Sequence, residues 1–283
     1  MMKRLTALLT GMALLLAGCA QSPESTAEST ESVPASPLTV TFLKVGKADA
    51  ILLRTANHTV VLDCGEKTDG KKVTSRLEED GVTSVDCLIL SHYDQDHIGG
   101  AAKVVKNLDV SRVIGADYAE ESDEFTALSD ALDAKGLTLE RPTEEFSFTL
   151  DDALFTVYPH EADTYADGFD NNCSLAVKVV HHNETFFFTG DAMQERLNEL
   201  MDIGGCDLLK VPYHGREIAN LPEFLSNVKP EYAVISTNAE NISGTTTAAL
   251  GKIGAETYIT YRDGNIIAVS DGSSITITTE GTA

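Results

Sequence analysis

The sequence predicts an α/β domain whose functional side chains lie at the carboxyl ends of strands. Short apolar runs alternate with longer polar stretches of helical periodicity from Leu38 to the C-terminal Ala283. One run, Cys87–Leu90, leads directly into the string HYDQDH, which contains two histidines and two aspartates. The carboxyl ends of strands are where α/β folds place their sites. Because no linker divides residues 38–283, we expect one domain with its site built around this string.

The other elements are predicted from the same patterns. Further strands are expected at residues 40–45, 50–55, 58–63, 112–115, 146–150, 154–158, 174–180, 185–189, 208–212, 232–236, 257–261, 266–269 and 274–278. Helices are expected at residues 70–81, 101–108, 123–135, 192–201 and 245–253. The pairs Asp151-Asp152, Asp263-Gly264 and Asp271-Gly272 are typical of hairpin turns between neighbouring strands.

The N-terminus predicts export and lipid anchoring. Residues 1–18 have a basic start, an apolar core and the ending LAG before Cys19, as in a secretory signal. The string LAGC resembles the bacterial lipobox, which implies that Cys19 carries a lipid and holds the chain on the outer face of the cell membrane. A soluble protein with an apolar N-terminal helix is the alternative. Residues 19–37, rich in Ser, Thr, Glu and Pro, predict a disordered tether because they have too little apolar surface to bury.

The charge of the chain argues against one class of partner. The formal net charge is −23, and no cluster of Lys and Arg with interleaved aromatic residues is present in the sequence. Proteins that bind long nucleic acids neutralise many phosphates with such clusters. We therefore expect a solvated acidic surface, a small substrate and no strong nucleic-acid-binding surface.

The cysteines predict buried thiols. Of the five cysteines, Cys19 is assigned to the lipid, and the other four show no CxxC spacing typical of a metal site. Cys64, Cys87 and Cys206 lie beside or within apolar runs, where free thiols are expected more often than disulfides. The sequence leaves the pairing of the four open.

Several motifs together resemble one known family. The string His92-Tyr93-Asp94-Gln95-Asp96-His97 resembles the HxHxDH motif of the metallo-β-lactamase superfamily, with Asp in place of the second His. Its form SHxDxDHxGG is similar to the C-terminal domain of ComEC-type competence proteins. FLKVGKADAILLRT resembles that domain's opening, where the loop commonly reads VGQGDA, and NNCSLAVKVV, FFFTGD and VPYHGR resemble later motifs. The resemblance implies an αββα sandwich of two mixed β-sheets flanked by helices.

The resemblance also implies a set of metal-binding residues. It assigns one divalent metal ion to Asp96, His97 and His214, a second to His92 and Asp94, and the bridge between them to Asp191. Zn or Mn suits this mixture of imidazoles and carboxylates. Asp191 as the N-cap of a following helix is the alternative for that residue.

Supporting roles follow from the same resemblance. Asp63 is expected to orient a metal-bound histidine, with a turn-forming Asp as the alternative. Asn172 stands where most of the superfamily has a histidine, and with Ser236 it is expected on the substrate side. Lys210 and Asp96 are the expected catalytic residues, although a lysine at a strand end is often only a surface residue. Arg216 is a further candidate assistant, and His160 and the pair His181-His182 are weaker candidate ligands.

These residues predict a metal-dependent hydrolase outside the cytoplasm. Two metal ions about 3.5–4 Å apart lower the pKa of a water bound between them and clamp a reacting ester. The expected substrate is a small phosphodiester or nucleotide-like molecule. An amide or thioester hydrolase, β-lactams included, is the first alternative, and Asp94 in place of the second histidine argues against it. A surface lipoprotein that binds a ligand without catalysis is the second. The oligomeric state is left open.

Overall fold

Two mixed β-sheets form the framework of the domain. The structure is a computed structural model and describes residues 36–238 and 242–281. These residues fall within one compact unit, Pro34–Ala283. The predicted signal peptide, Cys19 and nearly all of the predicted tether lie outside the described residues. No helix in the described ranges has the length and apolar character needed to cross a bilayer.

The first sheet has eight strands in the order β17-β16-β1-β2-β3-β5-β7-β8. Its strands are β1 Leu38–Phe42, β2 Ala50–Arg54, β3 Thr59–Cys64, β5 Cys87–Leu90, β7 Val113–Gly115, β8 Leu139–Glu140, β16 Ile266–Ser270 and β17 Ile275–Thr279. The run β3-β5-β7-β8 is parallel, and the other pairs are antiparallel. A separate two-stranded sheet joins β4 Ser84–Val85 to β6 Asp109–Val110.

The second sheet has seven strands in the order β15-β14-β13-β12-β11-β10-β9. Its strands are β9 Phe146–Leu150, β10 Ala153–Tyr158, β11 Ala176–His181, β12 Glu184–Phe188, β13 Leu208–Lys210, β14 Tyr232–Ile235 and β15 Glu256–Ile259. The run β12-β13-β14-β15 is parallel and the remaining pairs are antiparallel. Both sheets are therefore mixed, as predicted.

Helices cover the outer faces of the two sheets. They are α1 Gly70–Glu79, α2 Gln95–Ile98, α3 Ala101–Asn107, α4 Asp123–Lys135, α5 Phe169–Asn172, α6 Gln194–Glu199, α7 Leu221–Val228, α8 Gly244–Ile253 and α9 Thr260–Asp263, with a 3₁₀ turn at Pro212–Gly215. Side chains of α1, α3 and α4 pack with the first sheet, and side chains of α6, α7 and α8 pack with the second. The predicted αββα sandwich is confirmed.

The alternation of strand β12 shows how the two sides of a sheet are filled. Phe186 and Phe188 point into the core shared by the two sheets, where Phe188 lies 6.1 Å from the ring of Phe42 in β1. Phe187, between them, points to the opposite face and packs with Phe224 of α7. Successive side chains of a strand point to opposite faces, so a continuous apolar run is required where both faces are covered. The string TFFF is such a run.

Parallel pairing brings the chemically active segments to one edge. Strands β3 and β5 are parallel neighbours in the first sheet, and β12, β13 and β14 are parallel neighbours in the second. Parallel strands end at the same edge of a sheet, so the segments after their carboxyl ends are brought close together. The HYDQDH string follows β5, and the predicted ligands Asp191 and His214 follow β12 and β13.

One predicted hairpin is wrong. Asp263-Gly264 lies between β15 in the second sheet and β16 in the first, so it joins the two sheets and not two paired strands. The predicted strand at residues 257–261 ends at Ile259 and is followed by the helical turn α9. Gly264 has a φ of 81°, and a Cβ there would collide with the carbonyl oxygen of Gly281. Glycine at position 264 therefore allows the chain to pass close to Gly281 as it moves from the second sheet to the first. The hairpins at Asp151-Asp152 and Asp271-Gly272 are confirmed.

The four cysteines of the described residues are buried and free. Desolvation raises the pKa of the Cys87 and Cys206 thiols to about 12. Burial likewise raises the pKa of Cys64 well above its usual value, and the nearby Asp63 carboxylate adds to the effect. Such thiols stay protonated and unreactive, which agrees with the prediction of buried thiols.

Candidate metal centre

Three buried histidines and two aspartates meet between the two sheets. The ring centroids of His92 and His97 are 4.0 Å apart, and those of His97 and His214 are 5.4 Å apart. Asp191 lies between two of the rings, with Oδ1 3.5 Å from His97 Nε2 and Oδ2 3.0 Å from His214 Nε2. Asp96 Oδ2 lies 3.5 Å from the same His214 nitrogen. The structure thus brings residues from three separate segments into one cluster.

The inner nitrogen of each histidine is held by the protein. His97 Nδ1 is 2.8 Å from Asp63 Oδ2, and His214 Nδ1 is 2.9 Å from the carbonyl oxygen of Ser236. His92 Nδ1 lies 3.1 Å from Ser91 Oγ and 3.4 Å from Ser174 Oγ, both in buried side chains. Metal-binding histidines characteristically use one ring nitrogen in this way, which fixes the orientation of the ring and the atom it presents.

The outer nitrogens have no such partner. Among the described residues, Nε2 of His92, His97 and His214 and Oδ1 of Asp191 are buried without a hydrogen bond. Leaving a buried polar atom unsatisfied costs about 1–3 kcal/mol, so four at one place need an explanation. Imidazole nitrogens and a carboxylate oxygen are suitable ligands for a divalent cation. The donor set therefore fits the metal ions that the sequence predicts.

Of the four candidate donor groups in the described residues, two consist entirely of predicted metal ligands and overlap at His97. His92, His97 and Asp191 form one, and Asp96, His97 and His214 form the other, each with its ligand atoms within 4.8 Å of one another. Asp94 Oδ2 lies 3.5 Å from His92 Nε2, and its side chain is 43% exposed. All six predicted metal ligands are therefore close together, with Asp94 on the solvent side.

The charged groups of the cluster shift one another's pKa values. Burial alone would lower the pKa of His97, but the Asp191 and Asp63 carboxylates outweigh it and raise the pKa well above its usual value. Burial would raise the pKa of Asp191, but His214, His97 and Lys210 hold it well below the usual range. The pKa of Asp96 is lowered too, because contacts with His214, His97 and Lys47 oppose the effect of burial. The carboxylates are therefore ionised and available to cations.

Comparison with known proteins identifies the family. Residues 43–239 match the metallo-beta-lactamase superfamily, which is more than half of the chain. The chain belongs to this superfamily. The metallo-beta-lactamase fold protein YhfI from Bacillus subtilis has a similar fold, with a TM-score of 0.56 at 14% identity over 83% of this chain and all of that one.

Curated relatives are competence proteins. ComE operon protein 3 of Bacillus subtilis is 31% identical over 58% of this chain and 21% of its own length. Competence protein ComA of Neisseria gonorrhoeae is 27% identical over 75% of this chain and 28% of its own length. The predicted resemblance to the ComEC-type metallo-β-lactamase domain is confirmed. This chain nevertheless spans less than a third of either relative.

In this superfamily member, Asp63 is placed to orient His97. Its backbone has a φ of 59° directly at the end of β3, a conformation that Asp and Asn adopt more readily than most residues. Its Oδ1 accepts a hydrogen bond from Ser91 N at 2.8 Å, and its Oδ2 accepts one from Ser91 Oγ at 2.7 Å. The turn-forming and orienting interpretations of Asp63 are thus compatible, because the left-handed turn aims the carboxylate at the histidine.

Asp49 is a site residue that the sequence analysis missed. It is 1% exposed, contacts the ammonium of Lys210, and lies 3.9 Å from Nδ1 of both His97 and His214. Asp49 ends the loop GKAD, which the sequence analysis compared with VGQGDA without assigning the aspartate a role. The matching Asp in that loop was the signal that could have found it.

Lys210 is buried, and the alternative of a surface lysine is wrong. Its side chain is 1% exposed, donates to the carbonyl oxygen of Gly190 at 2.9 Å and lies 3.5 Å from Asp191 Oδ1. Burial alone would lower the pKa of Lys210, but Asp49 and Asp191 outweigh that effect and raise it. Lys210 is therefore a buried cation that holds Asp191, and the structure does not present it to a substrate.

Two predicted substrate contacts are also corrected. Asn172 is 1% exposed; its Oδ1 accepts hydrogen bonds from the backbone N–H groups of Met193 and Arg196, and its Nδ2 donates to Asp167. The amide oxygen thus holds the start of α6, and the amide nitrogen holds the loop before α5. Ser236 is buried, and its carbonyl oxygen contacts Nδ1 of His214 and so orients that ring. The Asn172 side chain is thus committed to the backbone and is not directed to a substrate in this structure.

The weaker alternatives for the ligands lose support. Helix α6 begins at Gln194 with Met193 as its N-cap, so Asp191 does not cap it. His160 contacts the carbonyl oxygens of Ala162 and Asp117, and it is not in any candidate ligand group of the described residues. His181 contacts Ser270 and pairs with Glu184, the first residue of β12. It therefore lies at the opposite end of β12 from Asp191, which follows the carboxyl end of that strand. None of these histidines joins the cluster.

We expect Asp63→Asn to weaken metal binding by roughly 10- to 100-fold without unfolding the domain. Asparagine keeps the left-handed backbone and the shape, but it removes the charge that faces His97. The measurement is a competitive titration of Zn²⁺ with a chromophoric chelator, with circular dichroism as a check on the fold.

A matched control for this substitution is Asp151→Asn. Asp151 also has a positive φ, 47°, but it lies in an exposed turn where it accepts hydrogen bonds from Thr55 and Asn57. Its substitution changes the net charge equally and leaves the metal affinity unchanged. Equal metal affinity in wild type and Asp63→Asn would refute the orienting role.

Proposed function

We propose that this protein is a dinuclear-metal-dependent hydrolase that cleaves phosphodiesters. The observation that carries the proposal is the convergence of three buried, unsatisfied histidine nitrogens on Asp191. Membership of the superfamily supports a metal-dependent hydrolase, and the choice of a phosphodiester rests on the carboxylate-rich ligand set. We assign one ion to Asp96, His97 and His214, the other to His92 and Asp94, and the bridge to Asp191.

The protein's own residues would prepare the reaction. When bound, two divalent ions activate a water and neutralise charge on the reacting phosphate. Asp63 and the Ser236 carbonyl fix the rings of His97 and His214, so the ligands need little reorganisation. The Lys210 ammonium offsets the negative charge of Asp191, and Asp49 pairs with that ammonium. The Asp96 carboxylate, at the open side, would accept a hydrogen bond from the attacking water and orient it.

The first test is metal dependence. The full chain is freed of metal and titrated with Mn²⁺ or Zn²⁺ while cleavage of bis-p-nitrophenyl phosphate is followed. We expect turnover to rise to a plateau at about two ions per chain, because the proposed ligands are assigned to two metal positions. A plateau at one ion would count against the dinuclear proposal. One ion or none, with no turnover, would favour a non-catalytic binding protein.

The second test removes single ligands. His97→Ala and Asp191→Ala are expected to lower kcat on bis-p-nitrophenyl phosphate by at least about 1,000-fold, because His97 is a ligand of one ion and Asp191 bridges both. His160→Ala removes a histidine outside the cluster and should retain wild-type kcat. Full activity in either ligand variant would sink the proposal. Nitrocefin tests the alternative of an amide hydrolase, and efficient cleavage of it would favour that alternative.

We further propose that the domain works outside the cytoplasm, anchored through a lipid on Cys19. The LAGC string and the polar sequence that follows it support this location. In a bacterial host, the wild-type chain should sediment with membranes, and Cys19→Ser should shift it out of that fraction because the lipid is lost. Mass spectrometry of the N-terminal peptide provides the check, and an unmodified Cys19 at the membrane would contradict the anchor.

A further inference from the structure

The candidate centre opens to solvent through one surface cavity. Asp94 and Asp96 contribute to the lining of a cavity of about 790 Å³, together with the loop residues Gly46 and Lys47. The histidines, in contrast, have side chains that are 0% exposed. A substrate that reaches the cluster from this side must therefore pass Asp94, Asp96 and the loop that carries Gly46 and Lys47.

This opening is unfavourable to an anion. Six charged side chains line the cavity. Two are basic, Lys47 and Lys72, and four are acidic, Glu66, Asp69, Asp94 and Asp96. A phosphodiester carries one negative charge. Bound metal ions would compensate Asp94 and Asp96, but Glu66 and Asp69 are not metal ligands, and their carboxylates repel an anion at the entrance. Lys72 pairs with Asp69 at 2.8 Å, and its side chain is 59% exposed, so it lies at the periphery.

Lys210 cannot supply the missing cation. An ammonium has three N–H donors. Those of Lys210 have three protein acceptors nearby, namely Asp49, Asp191 and the carbonyl oxygen of Gly190. Turning one donor toward a substrate would leave a buried carboxylate uncompensated.

Lys47, unlike the buried Lys210, lies at the surface of the cavity. Its ammonium lies 2.6 Å from Asp96 Oδ2, and its side chain is 29% exposed on the cavity wall. It is carried by the loop between β1 and β2, at the position where the resembling loop VGQGDA has a neutral Gln. The Lys47 side chain therefore contacts Asp96 and remains partly exposed to solvent at the entrance of the centre.

We propose that Lys47 binds a negatively charged phosphoryl oxygen of the substrate, shares its charge between that oxygen and Asp96, and makes the site selective for anionic diesters over neutral esters. Lysine serves phosphate groups as a point charge, which suits an oxygen whose position shifts as the substrate enters. This inference rests on the proposed phosphodiesterase function, and it adds a residue and a substrate class to it.

The test compares three variants of the metal-loaded full chain. Lys47→Gln restores the neutral residue of the resembling loop, Lys47→Arg keeps the charge, and Lys67→Gln removes an exposed lysine that lines a different cavity. We expect Lys47→Gln to raise KM for bis-p-nitrophenyl phosphate by roughly 10- to 100-fold, since it deletes a charged hydrogen bond. Lys47→Arg should recover part of the loss, and Lys67→Gln should match wild type.

A binding measurement separates this inference from the proposed function. Calorimetry with dimethyl phosphate, an anion, and trimethyl phosphate, its neutral counterpart, requires no turnover. Lys47→Gln should weaken binding of the anion by a similar factor and leave the neutral ester unaffected. If wild type binds the anion through Lys47 but hydrolyses nothing, the inference survives and the phosphodiesterase proposal fails.

Other results would overturn the inference. Unchanged KM and unchanged dimethyl phosphate binding in Lys47→Gln would show that the ammonium does not contact substrate. Loss of metal from Lys47→Gln, with normal KM once metal is restored in excess, would show that Lys47 only orients Asp96. Failure of wild type to bind dimethyl phosphate would refute the inference as well.

Discussion

The buried carboxylate of Asp191 is the constraint on which the rest of the site depends. It is 2% exposed, and a buried ionised group is costly unless cations surround it. Its neighbours come from three directions: His97 from α2, His214 from the turn after β13, and Lys210 from the end of β13 itself. These contacts are possible only because both sheets end in parallel strands at a common edge.

The sequence predicts the local parts of this arrangement well and the long-range parts less well. His92, Asp94, Asp96 and His97 could be found because they occur within six residues after a buried strand. Asp191 and His214 depended on the family resemblance, since nothing in their spacing shows that they meet. Asp49 was missed because a single aspartate in a loop has no periodicity, and its partner Lys210 lies far away in the chain.

The errors have a common physical origin, which is that a residue type does not show what it touches. Asp263-Gly264 has the composition of a hairpin turn, yet its flanking strands pair with different sheets. Lys210 has the composition of a surface residue, yet Asp49 makes its burial tolerable. Asn172 occupies the place of a metal ligand, yet backbone donors of α6 use its carbonyl oxygen. In each case a tertiary partner decides the role.

Two departures from the resembling motifs meet at the same opening. Relative to HxHxDH, Asp94 replaces a neutral imidazole with a carboxylate, and relative to VGQGDA, Lys47 replaces a neutral amide with an ammonium. Both line the cavity beside Asp96. The added negative and positive charges offset each other there, so the field that a substrate meets changes less than either replacement alone would suggest. The Asp94 side chain is 43% exposed, so its charge has little desolvation cost. The Lys47 ammonium offsets the charge of the nearby Asp96, which reduces the repulsion of an anionic substrate. A pair of partly exposed charges, Asp94 and Lys47, thus sets the electrostatic field at the opening. The buried pair Asp49 and Lys210 compensates charge in the interior.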